Sequence, residues 1–272
     1  MKTRMRKRIW ILAAALGTLL CAQDSGNRVT VPFRDASKPR KLIVHLMNGS
    51  ITVKGYDGKD AIVEFSGGSH RTRGRSSSPP APGMRRLDQG DDFDISEDSN
   101  TIRVGAGMMG NGSVVIQVPV ETSLDLNTMN GGHIEVENIS GEIEAQSQNA
   151  SLMMTNVSGS VVANTMNGKI NVSLNKVTPN KSMSFSTMNG NMEVQLPADV
   201  KANLKMRSDN GEIWTDFDVK LGPTSKTTVT DNRSSGGRYR VRVDKTIEGT
   251  INGGGPEMRF STMNGRITIG KK

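Results

Sequence analysis

The sequence predicts an all-β fold, a repetitive β-solenoid of the parallel β-helix kind, with two strands and two Gly-rich corners per turn of about 18–22 residues. Three observations predict it. The first is a recurring frame: an apolar pair two residues apart, then Asn-Gly, then another apolar pair. Leu42, Val44, Asn48, Gly49, Ile51 and Val53 give one copy, and Val161, Ala163, Asn167, Gly168, Ile170 and Val172 give another. Met183 to Val194 and Met258 to Ile269 repeat it, and Leu204 to Ile213 repeats most of it. Ile143 to Met154 carries Ala150 in the Gly place, and Leu124 to Val136 carries one extra Gly. A repeat this short cannot bury its own apolar face, so the copies must stack. The second observation is period-two alternation after each corner, the mark of strands with one buried face. The third is that Gly132, Gly141, Ala150, Gly159 and Gly168 fall at even steps, and the corners alternate in kind. One kind is TMNG or a close variant (128–131, 165–168, 187–190, 262–265), and the other is N-x-S-G (138–141, 156–159). A corner that returns every second strand suits a coil. Asn-Gly also marks hairpins, so an antiparallel sandwich or prism is the alternative.

The elements follow in order. Residues 1–22 read as a signal peptide: Lys2, Arg4, Arg6, Lys7 and Arg8 precede an apolar run from Ile9 to Leu20, too short to span a bilayer comfortably. Cleavage after Ala22 is expected; a lipid anchor on Cys21 and an uncleaved anchor are the alternatives. The five basic residues supply most of the formal net charge of +8, so the mature chain is only mildly basic and a nucleic-acid role is weakly supported. Cys21 is the sole cysteine, so an exported chain would rely on packing and ladder hydrogen bonds rather than disulfides. Residues 23–272 read as a single β-solenoid domain, with no transmembrane span in the mature chain. Val29 to Phe33 is a first strand, and residues 41–65 alternate through Leu42, Val44, Ile51, Val53, Ile62 and Phe65. Residues 67–92, rich in Gly, Ser, Arg and Pro, read as a disordered insertion. Phe93, Ile95, Ile102 and Val104 flank "SEDSN" as a hairpin, and the regular coil runs from about Val114 to Phe217. A strand at Tyr239 to Val243 follows, and the copy at 258–269 closes the domain.

The segments "KLIVHLMNGSITVKGYDGKDAIVEF", the repeated "TMNG" and the closing "GGGPEMRFSTMNGRITI" resemble the bacterial putative-adhesin β-strand-repeat family, a domain family of unknown function. That resemblance implies an exported β-solenoid-like domain and supplies no catalytic residues.

The residues themselves point away from chemistry. His45, His70 and His133 are far apart in sequence, and no metal site or cofactor is expected. Asp92, Asp94 and Ser96 have calcium-loop spacing, but Glu97 and Arg103 stand where Gly and Glu are needed. No nucleophile elbow or phosphate-binding Gly loop occurs. Glu135 and Glu193 should lie three strand steps apart, about 14 Å, too wide for paired carboxylate catalysis. Asp125 and Glu144 should be neighbours at about 5 Å, the distance of a retaining glycosidase pair. A carbohydrate-active β-helix enzyme is therefore the alternative to a non-enzymatic adhesin or cell-envelope binding module; a periplasmic scaffold or sensor is a third reading. The partner expected is extracytoplasmic, a cell-surface polysaccharide or an envelope protein, met in the periplasm, at the cell surface or outside it, and bound by flat exposed faces rather than in a pocket. Arg71, Arg73, Arg75, Arg85 and Arg86 could attract anionic polymers.

Further expectations concern side-chain direction. Gly168, Gly190 and Gly265 should have positive φ or no room for a Cβ. Val44, Ile51, Ile134, Val136, Ile143, Val161, Ile170, Val172, Met192, Val194, Ile213 and Ile267 should be buried, and Glu135, Glu142, Glu144, Lys169 and Glu193 exposed. Met47, Met129, Met166, Met188 and Met263 each precede a corner Asn, and a bend there is expected to turn them inward. Left outward, they would form a soft contact surface.

Overall fold

The computed structural model describes residues 28–66, 93–106, 112–222, 227–231, 239–243 and 246–272. The predicted signal peptide, the 67–92 insertion with its arginines, His70 and Asp92 lie outside them. The described chain is all-β, with no helix. Twenty strands join into one sheet that curls into a nearly closed, barrel-like wall, and two more, Thr227–Asp231 and Tyr239–Val243, pair separately.

Two parallel series make up most of the large sheet. The first runs through β6 (Thr101–Ala106), β2 (Arg40–Asn48), β8 (Thr122–Asn130), β10 (Ser140–Ser147), the later part of β11 (Ser151–Asn167), β13 (Met183–Asn189), β21 (Glu257–Asn264) and β15 (Ala202–Ser208). The second runs through β7 (Ser113–Pro119), β3 (Ile51–Tyr56), β9 (His133–Glu137), the start of β11, β12 (Ile170–Val177), β14 (Met192–Leu196), β22 (Ile267–Lys271) and β16 (Ile213–Thr215). Each copy of the frame gives one strand to each series, with its Asn-Gly or Asn-Ala between them. Like pairs with like: Phe185 with Phe260, Thr187 with Thr262 and Asn189 with Asn264.

The apolar residues of the frame face inward from both series. Of the twelve expected there, eleven are buried. Each such burial contributes roughly 1.5–3 kcal/mol. Phe185 and Phe260 stack at 5.1 Å between centroids, next to small Ala145 and Ala163 in the same column. Ile213 is the exception: it is half-buried, because β16 has a ladder partner on one side only. Glu142, Glu144, Lys169 and Glu193 are exposed, and Glu135 is half-buried beside His133. In β4 (Asp60–Ser66) the buried residues are Ala61 and Val63 rather than Ile62. Ile62 and Phe65 differ in parity, so they cannot share a face.

The order of the copies differs from the order of the sequence. The 258–269 copy does not end the stack. Its strands β21 and β22 lie between β13/β14 on one side and β15/β16 on the other. At the opposite end β2 and β3 lie between β6/β7 and β8/β9. Antiparallel strands cover three of the four series ends, leaving β16 as an edge: β5 (Phe93–Asp98) on β6, β4 on β7 with β1 (Arg28–Pro32) on β4, and β20 (Ile247–Ile251) on β15. Covered edges remove unpaired backbone groups that would otherwise template aggregation. The expected 93–104 hairpin forms, with Ser99 and Asn100 both at positive φ in its turn.

Each letter of TMNG has a distinct position. The Thr side chain points inward, and its hydroxyl donates to the corner carbonyl of the neighbouring copy: Thr128 to Gly49, Thr165 to Ala150, Thr187 to Gly168 and Thr262 to Gly190. The Asn side chains form a ladder in which each amide NH2 donates to the next carbonyl oxygen. Asn149 donates to Asn130, Asn167 to Asn149, Asn189 to Asn167, Asn264 to Asn189 and Asn210 to Asn264, over 2.7–3.0 Å. Gly168, Gly190 and Gly265 satisfy the second of the two expectations. None has positive φ, and a Cβ on each would collide with the corner carbonyl of the neighbouring copy. Among the Asn-Gly corners of the frame only Gly49 has positive φ (128), and the N-x-S-G corners carry it at Asn138 (φ 57), Asn156 (φ 55) and Gly159 (φ 124). The 147–150 copy departs from TMNG at three positions, with Ser147, Gln148 and Ala150, next to the corner with the extra glycine. Ser147 Oγ is buried there without a hydrogen-bond partner.

Candidate binding groove

Met47, Met129, Met166, Met188 and Met263 point outward, each 36–46 % exposed. This corrects the inward expectation. The strand alternation persists to the corner: Thr turns in, so Met must turn out. The row runs from β2 to β21, interrupted at Gln148 between Met129 and Met166, and ends at Asp209, which holds the same position beside Met263 after β15.

A second outward row runs beside the methionines: His45, Asn127, Gln146, Asn164, Ser186, Ser261 and Arg207. From Asn127 and Met129 onward the two rows line a groove of about 1060 Å³, with Gln146, Asn164 and Ser186 along its floor and Met166, Met188 and Met263 beside them. Strand β20 supplies Glu248 at the far end, because it folds back antiparallel on β15. Lys205, Arg207, Arg259 and Asp209 complete that end. Arg207 Nε lies 2.9 Å from Asp209 Oδ1. Lys205 and Arg259, side by side in register, both meet Glu257, at 2.6 and 3.2 Å. The hydrogen bond from Lys205 is the main cause holding the Glu257 carboxyl below its ordinary range. The groove is thus polar and amide-rich along its length, thioether-lined on one side and charged at one end. Sequence reasoning expected flat exposed faces. The groove depends on where the antiparallel β20 folds, which no local pattern signals.

The carboxylates are placed as the register predicted. Asp125 and Glu144 are direct neighbours on adjacent strands. Asp125 is engaged by Lys41 at 3.4 Å and His45 at 3.7 Å, and Glu144 accepts a hydrogen bond from Gln146 at 2.6 Å. Both lie outside the groove lining. Glu135 and Glu193 are separated by Met153 and Asn171, three strand steps in all. Asp94 and Ser96 lie in strand β5, not in a loop. Among the described residues, no three of His, Cys, Asp and Glu come close enough to hold a metal ion, and no helix is long and apolar enough to cross a membrane.

No protein-family model and no curated protein matches this sequence. Two solved structures are similar. One is described as a putative cell adhesion protein from Clostridium sporogenes ATCC 15579, at 11% identity and a TM-score of 0.43, covering 90% of this chain and 99% of the other. The second is described as a putative adhesin from Bacteroides fragilis NCTC 9343, at 11% identity and a TM-score of 0.30, covering 91% and 98%. The family resemblance seen in the sequence thus meets two structures of that description and no family model; likeness this low fixes neither fold nor function.

Proposed function

We propose that this chain is an exported, non-enzymatic binding module, an adhesin or envelope-structural protein, that holds an extended polymer along the groove of its first strand series. Its two series are the faces of a β-solenoid with two strands per turn. Partner strands spaced 18 to 22 residues apart, as in Ile143 with Leu124 and Val161 and Ile170 with Leu152 and Met192, support this coil. The observation that carries the binding role is the groove itself, which crosses consecutive copies and repeats its amide and hydroxyl groups strand by strand. Such a lining suits a polymer with a regular repeat of hydroxyls, a cell-surface polysaccharide before an envelope protein. Many weak contacts spread over several strands would share the affinity. The carboxylates of the groove, Asp209 and Glu248, stand among Lys205, Arg207 and Arg259 at its charged end, and neither a cofactor nor nucleic acid is part of this reading.

The test is calorimetric titration of the full chain with neutral and anionic bacterial polysaccharides, with product release followed by chromatography. Saturable binding without turnover, weakened by Asn164→Lys in the groove floor, is expected. Absence of binding across the panel, or turnover that Asp125→Asn or Glu144→Gln abolishes, overturns the reading. Export predicts that the mature protein recovered from a bacterial host begins at Gln23.

A further inference from the structure

The TMNG corner leaves one residue without a structural task. Thr, Asn and Gly each hold the neighbouring copy, through a hydroxyl bond, an amide bond and a close backbone approach. Met does none of this; it stands 36–46 % exposed at five positions. The adjacent outward row, carried by the same copies, has drifted through Asn127, Gln146, Asn164, Ser186, Ser261 and Arg207. Packing does not require an unbranched apolar side chain at an exposed strand position, where β-branched and polar residues are usual. Methionine recurs in five of the seven copies, with Gln148 and Asp209 in the other two, and its run on three adjacent strands calls for a reason in the thioether itself.

Three of these methionines occupy consecutive strands without interruption. Met166 and Met188 are flanked by the pairs Thr165 with Thr187 and Asn167 with Asn189. Met188 and Met263 are flanked by Thr187 with Thr262 and Asn189 with Asn264. Adjacent strands are about 4.8 Å apart, so the outer two backbones are about 10 Å apart with Met188 between them. Each side chain has three rotatable bonds, enough for the three sulfurs to converge over Met188. All three line the groove, a concave surface, so convergence does not push them into bulk solvent. The cations at the charged end of the groove are paired with carboxylates, Arg207 with Asp209 and Lys205 and Arg259 with Glu257.

We propose that Met166, Met188 and Met263 form a three-thioether site for a soft monovalent cation, Cu(I) or Ag(I). Thioethers are neutral, polarisable ligands that select soft ions over Zn(II), Mg(II) or Ca(II). The site needs no proton release, since a thioether carries none. It is a separate property from polymer binding, and either can hold without the other.

The test is titration of the full chain, in a Cys21→Ser background that removes the single thiol, with Ag(I) by calorimetry and with Cu(I) against a chromophoric chelator under reducing conditions. The Met166/Met188/Met263→Leu triple variant should bind one equivalent less of either ion, and Met188→Leu alone should weaken that equivalent at least tenfold. Met153→Leu, at an exposed methionine of the second series, should change nothing, and Zn(II) should not compete. All these positions are exposed, so circular dichroism should show an unaltered fold. Equal stoichiometry in parent and triple variant, an undiminished affinity in Met188→Leu, or equal loss in Met153→Leu overturns the proposal.

Discussion

The two corners of the repeat solve the same problem by different means. At TMNG corners the backbone stays in ordinary conformations and the copies are tied by side chains: an inward Thr, an Asn ladder and a glycine that lets carbonyls approach. At N-x-S-G corners the backbone itself turns, with Asn138 and Asn156 in the left-handed region, which Asn tolerates better than most residues. Both kinds need a close approach to the neighbouring copy, since a Cβ on Gly159 would strike the Gly141 carbonyl just as one on Gly190 would strike that of Gly168; what differs is the task of the Asn, a ladder rung in the first and a left-handed turn in the second. An Asn in one corner is therefore not equivalent to an Asn in the other.

The sharpest way to break this comparison is Gly190→Val. Its Cβ would strike the Gly168 carbonyl, so the backbone of two copies must part. A loss of about 3 kcal/mol is expected, the upper end of overpacking costs, measured by chemical denaturation. Unchanged unfolding would mean the corner does not need its close approach. Asn167→Ala comes next. It removes two ladder bonds, to Asn149 and from Asn189, and should cost about 1–2 kcal/mol. Thr187→Val tests the inward hydroxyl and should cost about 1 kcal/mol by the same measurement. Asn156→Gly should be near neutral, because glycine takes positive φ freely, while Asn167→Gly should lose as much as Asn167→Ala or more. Equal responses to glycine at the two corners would erase the distinction.

The smallest effect lies away from both corners, at Glu257. Its carboxyl is held below the ordinary range mainly by Lys205, so the folded state binds that proton less readily than the unfolded state. The stabilisation is present above the ordinary carboxylate pKa and fades as pH falls through the lowered one. Both partners are more than a third exposed, so solvent screens the pair and little stability rides on it. An NMR titration should place the Glu257 midpoint below that of an unpaired glutamate, and Lys205→Ala should bring it back towards the ordinary value.

The sequence made the strands, their inward faces and the Asp125–Glu144 neighbourhood legible, because each follows from period two and from alignment of identical residues. It misled where two rules competed. At the methionines, an assumed bend overrides alternation, although the apolar residue two positions before the Thr or Leu that precedes each Met already shows which side is inward. At the corner glycines, Asn-Gly suggested positive φ, whereas the actual constraint comes from a neighbouring copy that no local window contains. The antiparallel strand that walls the groove and the displaced order of the end copies were not legible either. Both depend on pairings between distant segments, such as Met206 with Phe260 and Leu204 with Gly249.

The displaced order bears on how the molecule is made and how it yields. Strands β21 and β22 are made after every other described strand yet fill a slot between copies made earlier. The stack cannot therefore close by zipping from one end, and β15 must wait for a partner more than fifty residues downstream. Contacts of such long range slow folding, so the final step should be insertion rather than addition. The same threading alters the response to tension. A pull at Lys272 would load β22, held on both flanks by β14 and β16, so many ladder hydrogen bonds would have to shear together; a pull at Arg28 would load β1, which only β4 holds, and that strand should come free first.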